Sequence, residues 1–175
     1  MTYKDFQKIE PQDINRNPFT LIDEDWFLLS AGNPDSFNTM TASWGGMGII
    51  WNKPVVFCFV RPQRYTYKFM EANEFFTMSF FDESHRDALN LCGKVSGRQT
   101  DKMKATGLKP IESPSGSVFF EQAKLMIECR KLYFSDIIPE HFLVEGIKAN
   151  YPKKDYHRMY FGEIVSCFNN FEKIR

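Results

Sequence analysis

TMTASWGG, Thr39–Gly46, sets three hydroxyl residues beside a tryptophan and ends in two glycines. In an extended strand, Thr39, Thr41 and Ser43 share one face, and Met40, Ala42 and Trp44 the other. The glycines after Trp44 let another group approach the backbone closely. Two readings stay open at this point. One is a threonine-rich edge strand. The other is a hydroxyl and backbone surface for an anion beside a flat ring.

Working outward, the neighbouring segments predict strands at WFLLSAG (26–32), NTMTASW (38–44), PVVFCFV (54–60), EFFTMSFF (74–81), KLMIECRKLYF (124–134), HFLVEGIKA (141–149) and HRMYFGEIVSCF (157–168). They are short, aromatic or β-branched, and separated by turn residues. The cluster GNPD before Ser36 suits a link between two antiparallel strands. Short helices are expected in RYTYKFMEANE after Pro62, in SHRDALNLCG with Ser84 as N-cap and Gly93 as stop, and in SGRQTDKMKATG from Ser96 or Gly97 to Gly107. KPIESPSGSVFF reads as a loop leading into a strand. Many strands with few helices give a mainly β chain, a barrel with helical plugs rather than βαβ units. Similar strand signals throughout make residues 1–175 one domain.

Composition narrows the function classes. The chain is 43% hydrophobic and 16% aromatic, with 18 phenylalanines, which supports a packed core rich in strands. Its 22 basic and 22 acidic residues cancel, which argues against a general nucleic-acid binder. The longest apolar run, VVFCFV, is too short to span a membrane, and MTYKDFQKIEPQD has no apolar signal core. Cys58, Cys92, Cys129 and Cys167 show no C-x-x-C spacing, as expected of reduced thiols in a cytoplasmic protein. His85, His141 and His157 lie far apart, so no metal site is expected. GMGIIW (46–51) lacks the third glycine of a dinucleotide-binding loop and precedes another strand, so a Rossmann domain is rejected. No G-x-S-x-G elbow is present.

RPQRYT, Arg61–Thr66, follows a buried-looking strand and gathers two arginines and a hydroxyl. Arginine forks match phosphate oxygens. The same segment also reads as a solvated strand-to-helix turn. NLCGKVSGRQTDK, Asn90–Lys102, places Ser96, Arg98 and Lys102 around two glycines, where a helix stop followed by a helix start is the plainer alternative.

NTMTASWGG, RPQRYTY and CGKVSGRQTDK, in that order and followed by HRMYFGEIV, resemble the flavin reductase-like family of FMN-binding split barrels, flavoredoxins included. The resemblance runs over about residues 15–168. It implies an antiparallel Greek-key split barrel, a homodimer, and FMN held without a covalent bond near the subunit interface. Carried over, Met40, Thr41, Ala42, Ser43 and Trp44 would contact the flavin. Arg61, Arg64 and Thr66 would hold the phosphate. Cys92, Gly93, Ser96, Gly97 and Arg98 would line the other side, with Lys102 and His157 close by. The implied activity is hydride acceptance from NADH or NADPH, with electrons passed to free flavin or to another small-molecule or protein acceptor. A flavoredoxin-type carrier with little direct NAD(P)H oxidation is the alternative. No catalytic side chain is implied, because the cofactor carries the chemistry.

Overall fold

The computed structural model describes residues 1–170. Its strands are β1 (Gln7–Ile9), β2 (Phe27–Asn33), β3 (Ser36–Ala42), β4 (Gly45–Ile50), β5 (Lys53–Val60), β6 (Phe75–Phe80), β7 (Pro110–Glu112), β8 (Val118–Phe120), β9 (Leu125–Asp136) and β10 (Arg158–Asn169). The helices are α1 (Pro18–Thr20), α2 (Tyr65–Ala72), α3 (Arg86–Lys94) and α4 (Lys102–Thr106). All ladders are antiparallel, in the order β3-β2-β6-β9-β10-β5-β4, with β1 added beside β10. After β5 the chain crosses through α2, so β6 pairs with β2 rather than with β5. That return is what separates a Greek key from a simple meander.

The two edges of this sheet are successive in the chain. Only Ser43 and Trp44 separate the end of β3 from the start of β4. Laid flat, seven strands would put these edges about 29 Å apart at 4.8 Å per strand. The short link spans no more than about 11 Å. The sheet must therefore curl until its edges nearly meet. β3 and β4 do not pair, so the barrel stays split along that line.

Two cores follow from the curling. Inside the barrel lie Phe27, Leu29, Met40, Ala42, Val56, Cys58, Val60, Phe76, Met78, Ile127 and Tyr160. Outside it, Leu28, Leu89, Cys92, Val118, Phe119, Phe120 and Met126 pack between β2, α3 and the β7–β8 hairpin. β2 is buried on both faces from Phe27 to Gly32, with Phe27, Leu29 and Ala31 in the barrel core and Leu28 in the outer one. β5 instead alternates, with Val56, Cys58 and Val60 inward and Phe57 and Phe59 half-buried outside. Among the described residues, no helix is long and apolar enough to cross a membrane.

Several expectations are met and several corrected. The GNPD turn joins β2 to β3, with Asn33 Oδ1 accepting from the amides of Asp35 (3.1 Å) and Ser36 (2.9 Å). GMGIIW falls within β4 and its turn, where Trp51 (φ 52°) and Asn52 (φ 57°) form the left-handed step into β5. α3 begins after His85 and runs through Gly93, so Ser84 is not its cap and Gly93 not its stop. Gly93 is small where α3 crosses β3; a Cβ there would sit 3.4 Å from that of Thr41. α4 starts later than expected, capped by Asp101, whose side chain accepts from the Lys104 amide. KPIESPSGSVFF is a hairpin, β7–β8, not a plain loop.

The strand expected at 141–149 is absent. Residues 137–157 form an irregular excursion between β9 and β10 with 3-10 turns at Pro139–His141 and Glu145–Asn150. Residues 141–149 join no ladder and are exposed apart from the half-buried Phe142, so the segment buries too little apolar surface to hold an added strand. Leu143 is left 98% exposed.

Gly162 on β10 sits where a Cβ would lie 2.6 Å from the Phe76 ring and 2.8 Å from the Cys129 Cβ. Gly162→Ala is expected to destabilise the protein by about 1–3 kcal/mol through overpacking. Gly48→Ala, with open space around it, should change little. Urea denaturation of the two variants checks both.

Candidate functional site

The split between β3 and β4 opens into a cleft of about 220 Å³. Its floor is Met40–Trp44, and its walls are Phe59, Arg61, Arg64 and His157. The Trp44 and His157 rings lie 4.9 Å apart and Phe59 stands 6.2 Å from His157, which gives one side an aromatic lining. A second cleft of about 190 Å³ shares Met40 and Arg64 with the first. It adds Thr66, Lys94, Ser96, Gly97 and Lys102, and no acidic side chain lines it. A third, wider cleft of about 540 Å³ meets the first across Ser43, Trp44 and Phe59, and Phe19, 83% exposed, lies at its rim.

The basic groups are held by the end of α3. A helix leaves its last carbonyls without intrahelical partners. Here Arg64 Nη1 donates to the Gly93 carbonyl (2.8 Å), and its Nη2 reaches that of Cys92 (3.5 Å). Lys102 Nζ donates to the carbonyls of Cys92 (3.0 Å) and Thr39 (2.7 Å). Cations at a helix C-terminus also oppose its dipole. Burial pushes the Lys102 amine down to about 8, despite the nearby Cys92. Its ammonium carries three N–H donors and finds two acceptors among the described residues, which leaves one donor for an anion there. Arg64 is lowered too, first by burial and then by repulsion from Arg61.

The opening stretch sits as its alternation requires, but its hydroxyls are largely taken. Met40 and Ala42 face the barrel core. Thr39 Oγ1 accepts from Ser30 (2.9 Å), and Thr41 Oγ1 donates to the Leu89 carbonyl, docking α3 onto β3. Ser43 stays free at the cleft among the described residues. Thr66 is fully buried and accepts from Asn38 Nδ2 (2.7 Å). Gly97 is required beside it, because a Cβ there would come within 2.0 Å of Asn38 Oδ1.

Three expected residues stand apart from the cleft walls. Cys92 is buried and, with Gly93, contributes carbonyls from behind. Arg98 stacks on Tyr65, its guanidinium 4.7 Å from the ring centroid. Arg61 does line the first cleft, yet its guanidinium is engaged by Asp155 (2.7 Å) and the Asn150 carbonyl (2.9 Å). It fastens the 137–157 excursion to the barrel. Arg64 is half-buried rather than on a surface turn. Sequence reasoning missed Phe59, Lys94, Tyr151 and Asp155. Lys94 carried a signal, a cation inside the CGKVSG stretch. Tyr151 and Asp155 carried none, because their roles arise from a contact across 90 or so residues of chain.

The flavin reductase-like domain model matches residues 24–170. The chain belongs to that family. Among solved structures, this flavin reductase-like chain is similar to the flavoredoxin of Desulfovibrio vulgaris (Miyazaki F), at 20% identity and a TM-score of 0.68 over 95% of this chain and 80% of that one. It is similar to the flavoredoxin from Methanosarcina acetivorans at 20% identity and TM-score 0.68, over 95% and 79% of the two chains. An FMN-binding protein from Thermus thermophilus, solved with 1-cyclohex-2-enone, aligns at 19% identity and TM-score 0.66, over 93% and 77%. These likenesses establish the split-barrel fold. No curated protein sequence matches the chain.

The Lys102 amine gives a pH test. Its folded value, about 8, lies below the ordinary 10.5. Between these values the unfolded chain holds more protons, so this group makes stability rise with pH. The stability difference, wild type minus Lys102→Met, is expected to increase from pH 7.5 to 9.5, by at most about 1.4 kcal/mol per pH unit. Urea melts of both proteins across that range measure it.

Proposed function

We propose that this flavin reductase-like domain binds FMN across the two joined clefts and acts as an NAD(P)H-dependent oxidoreductase, passing electrons to free flavin or another acceptor. The observation that carries the reading is the continuity of an aromatic cleft with a basic, acid-free one through Met40 and Arg64. A planar ring with an anionic tail matches that pair. The segment 40–44, the end of β3 and its link, would lie along the ring, and Arg64, Lys94 and Lys102 would hold the phosphate. Bound FMN would supply the hydride- and electron-accepting ring. The protein's part is to orient that ring, neutralise its tail and limit water. Burial, with help from Arg61, holds His157 down at about 4, so no imidazolium stands at the ring cleft at neutral pH. The wider apolar cleft beside Ser43 and Trp44 offers a second reactant a way to the same place.

The reading extends to a homodimer. Trp51 (54% exposed), Tyr133 (51% exposed), Phe57 and Phe161 form one aromatic patch on the outer face of β5, β9 and β10, with neighbouring centroids 5.8–6.2 Å apart. A patch of this kind favours burial against another protein surface. A second copy is the occupant we favour, since the patch continues through Phe59 to the ring cleft. The four thiols, all free and buried, suit a reducing cytoplasm.

The absorbance spectrum of purified protein, followed by anaerobic titration with NADH and NADPH, tests the reading. Flavin bands bleached by either nucleotide support it. A flavin-bound protein that only dithionite reduces would turn the assignment to an electron carrier. A protein with no affinity for FMN would end both.

Arg64 supplies a sharper measurement. Arg64→Met should lower FMN affinity about ten- to a hundredfold, the loss of a charged hydrogen bond of roughly 1.5–3 kcal/mol. Riboflavin affinity should fall far less. The apo-variant should also melt at lower temperature, because the Gly93 carbonyl loses its donor. Fluorescence titration with both flavins separates these effects.

Sedimentation is expected to show a dimer at micromolar concentration, weakened by Trp51→Glu. A monomer that keeps stoichiometric FMN would remove the second copy from the reading.

A further inference from the structure

His157 is 8% exposed and lines the ring cleft. Its Nδ1 lies 2.9 Å from the Tyr151 hydroxyl. Tyr151 is itself 5% exposed and is packed on four sides. Tyr156 lies tilted at 4.8 Å, Phe142 stacks at 6.0 Å, the His157 ring stands edge-on at 5.5 Å, and the Arg61 guanidinium covers the ring at 5.1 Å. Arg61 is fixed in turn by Asp155 and the Asn150 carbonyl. The hydroxyl position is therefore set by the barrel and by the excursion together.

The direction of the Tyr151–His157 bond follows from counting protons. Among the described residues the Tyr151 hydroxyl has one partner, Nδ1. Were Nδ1 to carry the imidazole proton and donate, the buried phenol hydrogen would have no acceptor. Leaving a buried donor unpaired costs about 1–3 kcal/mol. With the phenol donating instead, Nδ1 accepts and the ring proton lies on Nε2. Both groups are in the matching states at neutral pH: burial raises the Tyr151 phenol and lowers His157 to about 4. Nε2 has no protein acceptor among the described residues and is not among the sealed, unpaired buried atoms.

We infer that Tyr151 is a positioning residue. Its hydroxyl holds His157 in the Nε2–H tautomer, so that the aromatic cleft offers one fixed N–H donor to a carbonyl oxygen on a planar ligand. The inference rests on the reading of this cleft as the ring site. It adds a selection rule: a flat ring bearing a carbonyl is preferred over the same ring without one.

The test begins with 15N-histidine NMR of the protein as purified, with the His157 signals assigned from their loss in His157→Gln. The expected spectrum shows a protonated Nε2 and an unprotonated Nδ1. Nicotinamide and 3-methylpyridine then serve as probes, the same ring with and without a carbonyl. Nicotinamide should shift the Nε2 signal and bind about three- to tenfold more tightly, the worth of one hydrogen bond. Tyr151→Phe, which keeps the ring contacts, should mix the two tautomers and shrink that preference, while a thermal melt reports whether the fold holds. A wild-type His157 protonated on Nδ1 overturns the inference whatever the variant does. So does a tautomer and probe preference left unchanged by Tyr151→Phe. Neither result depends on whether FMN binds, which the spectrum of the purified protein decides separately.

Discussion

A two-residue link decides the shape of this molecule. β3 and β4 lie at opposite ends of the strand order, yet Ser43 and Trp44 alone connect them. The link cannot bridge a flat sheet, so the sheet curls and its edges come together without pairing. The cleft is what remains of the gap. Its floor is the link itself with the end of β3, which is why the residues that close the barrel are also those that face a ligand. Substitutions at Ser43 or Trp44 are thereby tied to both properties at once.

The basic cleft shows a second economy of the same sort. The end of α3 presents carbonyls that need donors, and the nearby cations need acceptors. Arg64 and Lys102 satisfy Cys92, Gly93 and Thr39, and this fixes their charges at the cleft wall. A cation with freedom to move would lose side-chain entropy on meeting an anion. These two have already lost it in folding. The arrangement also concentrates positive charge in a half-buried place, which lowers the proton affinity of both groups and leaves the cleft suited to a negative partner.

The excursion 137–157 completes the ring cleft from the far side. Arg61 reaches from the end of β5 to Asp155, and Tyr151 reaches back to His157 at the head of β10. Sequence reasoning assigned Arg61 to a phosphate on the sound ground that arginine matches phosphate oxygens. In the fold the same guanidinium lines the ring cleft and is also engaged by Asp155. The helix stop expected at Gly93 was misjudged, because packing of α3 on β3 asks for a small residue in mid-helix and overrides its usual meaning as a stop.

The sequence by itself determined the strand-rich class, the β2–β3 hairpin, the rejection of a dinucleotide fold and the stretches from which a site is built. Each is a local matter, set by side-chain alternation, turn chemistry or a short motif. HFLVEGIKA shows the limit: its composition suits a strand, but in the fold it joins no ladder and stays exposed apart from the half-buried Phe142. Tertiary structure alone decided that Lys94 and Phe59 face the clefts, that Thr66 is fully buried at the wall of one and Cys92 is buried behind it, and that Arg61 is engaged by Asp155. These depend on which distant segments meet when the sheet curls, and residue spacing along the chain does not encode such meetings.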